Sequence, residues 1–118
     1  MATISSHILN SVDGTHAGGI AVTLTRIDTD GSRTVLFETI TDDGGRLAQE
    51  INGDVVLQDA SFEIVFETDA YFERMNLPAA GLKTVREIVI RFEMPDREAR
   101  YHIPVMLAPN SYSVWWSS

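Results

Sequence analysis

Apolar side chains in this chain recur at every second position, and that alternation restricts it to a fold built from strands. From Gly19 onward, Ile20, Val22 and Leu24 fall on one face while Ala21, Thr23 and Thr25 fall on the other, the pattern of a half-buried strand. The cluster Asp28-Thr29-Asp30-Gly31-Ser32 is dense in turn formers and predicts a hairpin. A second strand follows, with Val35 and Phe37 alternating against Leu36 and Glu38. The loop Thr41-Asp42-Asp43-Gly44-Gly45 then delivers Arg46. Ser61 to Thr68 predicts a strand with Phe62, Ile64 and Phe66 on one face.

Asp69 to Asn76 is the one segment of helical character. Asp69 can cap it, Tyr71, Phe72 and Met75 fall on one side, and Pro78 ends it. Thr84 to Met94 predicts a long strand carrying Val85, Ile88, Val89, Ile90 and Phe92. Pro95-Asp96 turns the chain into a last β region, Arg100 to Leu107, which holds His102. Pro109-Asn110-Ser111 breaks that region before a tail rich in tyrosine and tryptophan. Six to eight short strands with a single helix predict an all-β, antiparallel sandwich. With 118 residues and no linker or repeat, residues 1–118 are expected to form one domain.

Composition narrows the chemistry. There is no cysteine, so disulfides, thiolate metal sites and a cysteine nucleophile are excluded. A net charge of -8 repels nucleic acid and anionic membranes. No run of apolar residues is long enough to span a bilayer. The start Met1-Ala2-Thr3-Ile4-Ser5-Ser6-His7 lacks a basic segment leading into an apolar one, so the chain is expected to stay in the cytoplasm.

The polar candidates are His7, His16 and His102. His102 lies in the apolar run Tyr101-His102-Ile103-Pro104-Val105. It reads either as a core or interface histidine satisfied by a carbonyl, or as a site residue. His16, in a turn-like segment, reads as a solvated loop residue, and His7 by itself is uninformative. No His-Glu-x-x-His, phosphate-binding loop or dinucleotide fingerprint occurs.

Three segments together carry a resemblance. They are Ser6-His7-Ile8-Leu9-Asn10 with Gly14 and Ala17-Gly18-Gly19-Ile20-Ala21-Val22-Thr23-Leu24, then Thr41-Asp42-Asp43-Gly44-Gly45-Arg46, then Tyr101-His102-Ile103-Pro104-Val105-Met106-Leu107-Ala108-Pro109 with Tyr112-Ser113. In order and spacing they resemble the transthyretin-related 5-hydroxyisourate hydrolases, and Phe66 to Phe72 is similar to that family's short helix.

The resemblance implies a transthyretin-like sandwich and a homotetramer with active sites in a channel between dimers. It also implies opening of the 5-hydroxyisourate ring to 2-oxo-4-hydroxy-4-carboxy-5-ureidoimidazoline in urate breakdown. With no cysteine and no metal-ligand spacing, no cofactor and no metal are expected. The resemblance places the family's catalytic groups on His7, Arg46 and His102. Those types suit the chemistry. Adding water to a lactam carbonyl needs a base near neutrality, a donor for the developing oxyanion and a proton for the leaving nitrogen. Histidine and arginine supply these, and the residues leave open which histidine is the base.

The tail departs from the family. Where the family ends Tyr-Arg-Gly-Ser, this chain reads Trp115-Trp116-Ser117-Ser118, and Gly44 stands where the family has Asp. The family's tail lines its site, so the resemblance carries Tyr112, Ser113, Trp115, Trp116, Ser117 and Ser118 as substrate-binding positions. Three activities compete: hydrolysis of 5-hydroxyisourate, hydrolysis of an N-methylated relative from methylxanthines, and non-catalytic binding of a small ligand. Ordinary interface packing is the plain alternative for the two tryptophans. The retained histidines and arginine disfavour the third activity.

Overall fold

The computed structural model describes residues 1–75 and 85–116. They form eight strands: β1 (Ala2–Asn10), β2 (Ala21–Ile27), β3 (Arg33–Ile40), β4 (Arg46–Ile51), β5 (Ser61–Glu67), β6 (Ile88–Phe92), β7 (Arg100–Ala108) and β8 (Ser111–Val114). One α-helix, α1 (Asp69–Met75), follows β5, and a 3-10 turn spans Gly53–Val55. The strands make two four-stranded sheets, β4-β1-β7-β8 and β3-β2-β5-β6. Between them lies a continuous core built on Phe62, Ile64 and Phe66 from one sheet and Ile4, Ile8, Ile103 and Val105 from the other, all fully buried. The expected sandwich is present, and all neighbouring strands pair antiparallel except β1 and β7, which run parallel.

The departures from expectation have local causes. β1 escapes the apolar alternation because two of its inward positions are polar. Ser6 and Asn10 are buried, with Ser6 Oγ donating to the Ile103 carbonyl at 2.6 Å and Asn10 Nδ2 donating to the Tyr71 hydroxyl at 3.1 Å. A bulge between Leu24 and Thr25 pairs Leu24 with Phe37 and Thr25 with Val35. Leu36 and Phe37 therefore both pack on the core, and Val35 is exposed. β4 was not expected as a strand, while the predicted strand from Thr84 to Met94 is regular only over Ile88–Phe92, with Val89 exposed. Thr84, Asn76 and Pro78 lie outside the described residues. In α1 the Phe72 amide donates to the Thr68 carbonyl at 3.1 Å, so Asp69 sits within the first turn instead of capping it. Tyr71 and Phe72 are buried as expected, and Met75 faces outward.

Candidate functional site

Because Cβ atoms alternate across a strand, burying Ile4, Ser6 and Ile8 turns Ser5 and His7 outward. Register does the rest. His7 pairs with Arg46 on β4, and Ser5 pairs with Ala48 on β4 and with His102 on β7. His7, Arg46 and His102, far apart in sequence, thus meet on the outer face of one sheet. They line a cleft of about 570 Å³ with Ser5, Thr39, Gln49 and Arg100.

Arg46 is presented by a tightly determined loop. Asp42 Oδ1 accepts from the amides of Gly44, at 3.0 Å, and Arg46, at 2.9 Å. Buried Thr41 donates its hydroxyl to the Ala17 carbonyl at 3.0 Å and accepts from the Ile20 amide at 3.0 Å. Gly45 turns with φ +73°, and a Cβ there would lie 2.4 Å from the Ile8 carbonyl oxygen. Only glycine fits that junction.

His102 is half-buried, and its Nδ1 lies 2.8 Å from Ser5 Oγ, a contact that orients the ring and leaves Nε2 free of it. His7 is also half-buried, and its Nε2 lies 2.9 Å from His16 Nδ1. The His7 pKa is held below the usual imidazole value. Burial is the first cause, followed by the positive neighbours Arg46 and His16 and, more weakly, His102, against an opposing hydrogen bond to the Gly44 backbone. The cleft therefore combines a histidine kept neutral near pH 7, a second histidine held by a hydroxyl, and a fork of arginine donors. Such a set can add water across a polarised carbonyl. Among the described residues, no group of three histidine or carboxylate side chains is placed to hold a metal.

Not every expected residue comes to the cleft. Tyr112 and Ser113 lie on β8, the far edge strand of the same sheet, and are exposed. Trp115 is exposed beyond β8, and Trp116 leans on Phe92 of β6 with ring centroids 5.1 Å apart. One chain alone brings none of these four to His7, and Ser117 and Ser118 lie outside the described residues. In turn, Ser5, Gln49, Thr39, Arg100 and the contact of His16 with His7 are additional to the expected set. Arg100 was within reach, since period two sets it on the face of His102. The others depend on pairings between distant segments.

Residues 4–116 match the family model described as the HIUase/Transthyretin family. A 5-hydroxyisourate hydrolase of Halalkalibacterium halodurans is 28% identical over 115 residues, covering 98% of this chain and 97% of that protein. The solved structure of Klebsiella pneumoniae 5-hydroxyisourate hydrolase matches with a TM-score of 0.74 and 29% identity, over 100% of both chains. That of (S)-allantoin synthase matches with a TM-score of 0.86 and 23% identity, over 99% of this chain and 44% of that longer one, a likeness of fold.

Proposed function

Because this chain belongs to the HIUase/Transthyretin family, we propose that it is a hydrolase that opens the ring of 5-hydroxyisourate. The observation that carries this is the convergence of His7, Arg46 and His102 on one cleft through strand register. Nearly full-length similarity to named 5-hydroxyisourate hydrolases supports it.

In the mechanism we assign, neutral His7 takes a proton from water as the water oxygen bonds to the lactam carbonyl carbon. The Arg46 guanidinium stabilises the oxyanion that forms. Collapse of that intermediate breaks the carbon–nitrogen bond. The nitrogen leaves with a proton delivered by His102 in its imidazolium form, and His7 then releases its proton to solvent while His102 takes one back, so that both rings return to their starting states. The side chains present supply every step, so no cofactor or metal is needed.

The cleft is open to solvent in one chain, and apolar Met106, Tyr112, Trp115 and Trp116 are exposed along and beyond β7 and β8. We assign these surfaces to a homotetramer in which tails of neighbouring chains approach the cleft, which is how Tyr112, Ser113, Trp115, Trp116, Ser117 and Ser118 would reach substrate. A second reading, preference for an N-methylated hydroxyisourate, rests on the half-exposed indoles of Trp115 and Trp116. The contact of Trp116 with Phe92 weighs toward packing.

The test generates hydroxyisourate from urate with an oxidase and follows its decay with and without the protein. Faster decay is expected, with His7→Ala, Arg46→Ala and His102→Ala each lowering turnover strongly while remaining folded. Decay at the spontaneous rate in the presence of wild type would overturn the proposal.

A further inference from the structure

We propose that His16 is a positioning residue for His7, its Nδ1 lying 2.9 Å from His7 Nε2 so that the two imidazoles share one bridging hydrogen and His16 sets the tautomer and orientation of the His7 ring. The proposal rests on the reading of His7 as the acid–base group and extends it. His16 does not line the cleft, so it acts through His7 and not on substrate.

The placement of His16 is built by its surroundings. After β1 the chain doubles back on itself. The Asn10 amide donates to the Thr15 carbonyl at 2.8 Å, the Ala17 amide donates to the Ile8 carbonyl at 2.9 Å, and His16 bridges antiparallel to Leu9. Leu9 is two positions from His7, so both rings stand over the same face of the sheet. They stack with centroids 5.0 Å apart and planes 24° from parallel. Two further elements brace the loop: Thr41 bonds the Ala17 carbonyl, and Arg74 of α1 donates to the Gly19 carbonyl at 3.1 Å. A free surface histidine would extend into water. This one is turned back.

The chemistry of two imidazoles limits what the contact can be. One nitrogen must donate and the other accept. The bond therefore exists when the pair is neutral or carries one extra proton. It breaks when both rings are cations, because no acceptor is left and like charges abut. A shared hydrogen of this kind couples proton uptake by one ring to the state of the other. An extra proton is disfavoured on His7, which faces Arg46 from β4 and His102 from β7, with Arg100 on the same strand. The nearby carboxylates are engaged elsewhere: Asp42 binds the amides of its own loop, and Asp13 binds Thr15. When the bridging hydrogen sits on His7 Nε2 and is donated to His16 Nδ1, the other ring nitrogen of His7 carries the lone pair, and His16 thereby selects the tautomer that can act as a base.

The experiment has two readouts. Long-range proton–nitrogen NMR of histidine-labelled protein follows the ring nitrogens of His7 and His16 from pH 4 to 9, and kcat/KM is measured over the same range. In wild type the two rings should titrate together in two steps. In His16→Ala, His7 should titrate in one step at higher pH, and the acid limb of kcat/KM should move up with it. At pH 8, kcat/KM should fall on the order of three- to tenfold, as for one lost hydrogen bond. His16→Asn, whose amide reaches the same place without titrating, should restore most of that loss. Independent titration of the two rings overturns the dyad. Coupled rings with unchanged kcat/KM in His16→Ala overturn the positioning role. If wild type hydrolyses nothing, the proposed activity fails, and the NMR titration still decides the dyad.

Discussion

Replacing Gly45 by alanine separates two costs that usually occur together. Gly45 and Gly31 both adopt positive φ, +73° and +87°, so alanine at either position carries a similar left-handed penalty of about 1–2 kcal/mol. Their surroundings differ. A Cβ on Gly31 meets nothing within 4 Å, whereas one on Gly45 lies 2.4 Å from the Ile8 carbonyl oxygen and 3.0 Å from the Ala17 nitrogen. Those are backbone atoms and cannot rotate away. The loop must move, straining the 2.8 Å bond from the Ile8 amide to the Gly45 carbonyl and the 2.9 Å bond from the Gly45 amide to the Asp42 carbonyl. Overpacking of this kind adds about 1–3 kcal/mol. Gly31→Ala should therefore cost about 1–2 kcal/mol and Gly45→Ala about 2–5 kcal/mol. The clash also displaces Arg46, the proposed oxyanion donor, and for a group in that role a misplacement of about 1 Å can cost roughly a hundredfold in rate. Urea unfolding followed by circular dichroism, at one protein concentration, measures the first effect, and hydroxyisourate decay measures the second. Equal unfolding midpoints for the two variants would refute the reasoning.

Light scattering at micromolar concentration should give the mass of a tetramer, and a monomer there would remove the neighbouring tails from the proposed site. For Trp116, each substrate methyl buried against the indole would gain about 0.8 kcal/mol, close to fourfold. Trp116→Arg should shift kcat/KM from methylated toward unmethylated hydroxyisourate, and an unchanged ratio would mean that the indole only packs on Phe92. At Glu63, burial pushes the carboxyl pKa up, but hydrogen bonds from Arg91 at 3.0 Å and Arg33 at 3.2 Å outweigh it and hold the pKa below the usual value. A depressed folded pKa gives stability that is present above the unfolded value and lost as pH falls through the folded one. Glu63→Gln should flatten stability across that acidic window, and identical pH profiles of the unfolding midpoint would contradict this.

Legibility in the sequence followed the purity of the local signal. β2 and β5 were readable because Val22, Leu24, Phe62, Ile64 and Phe66 all point inward without a polar interruption. β1 was hidden by buried Ser6 and Asn10, whose partners are the Ile103 carbonyl and Tyr71. In β3 the bulge opposite Leu24 shifts the face of Val35, and a bulge leaves no mark in the alternation itself. His7, Arg46 and His102 were nominated by resemblance to a family, since their residue types alone admitted plainer readings. Their meeting depends on pairing β1 with both β4 and β7, which no local window contains. His16 looked like a solvated loop residue and is exposed, yet the doubling back of the chain sets it against His7.

The parallel pairing of β1 with β7 has a consequence during biosynthesis. Ser5 and His102, in contact at 2.8 Å, are 97 positions apart. At typical translation speeds, the ribosome needs roughly 5–20 s to cover that distance. β4 can cover one side of β1 early, but the other side waits for nearly the whole chain. Until then a strand with Ile4 and Ile8 on one face offers a bare row of amides and carbonyls to any nascent neighbour. Chaperone demand and soluble yield should thus be most sensitive to changes in β1 that leave the finished enzyme almost untouched.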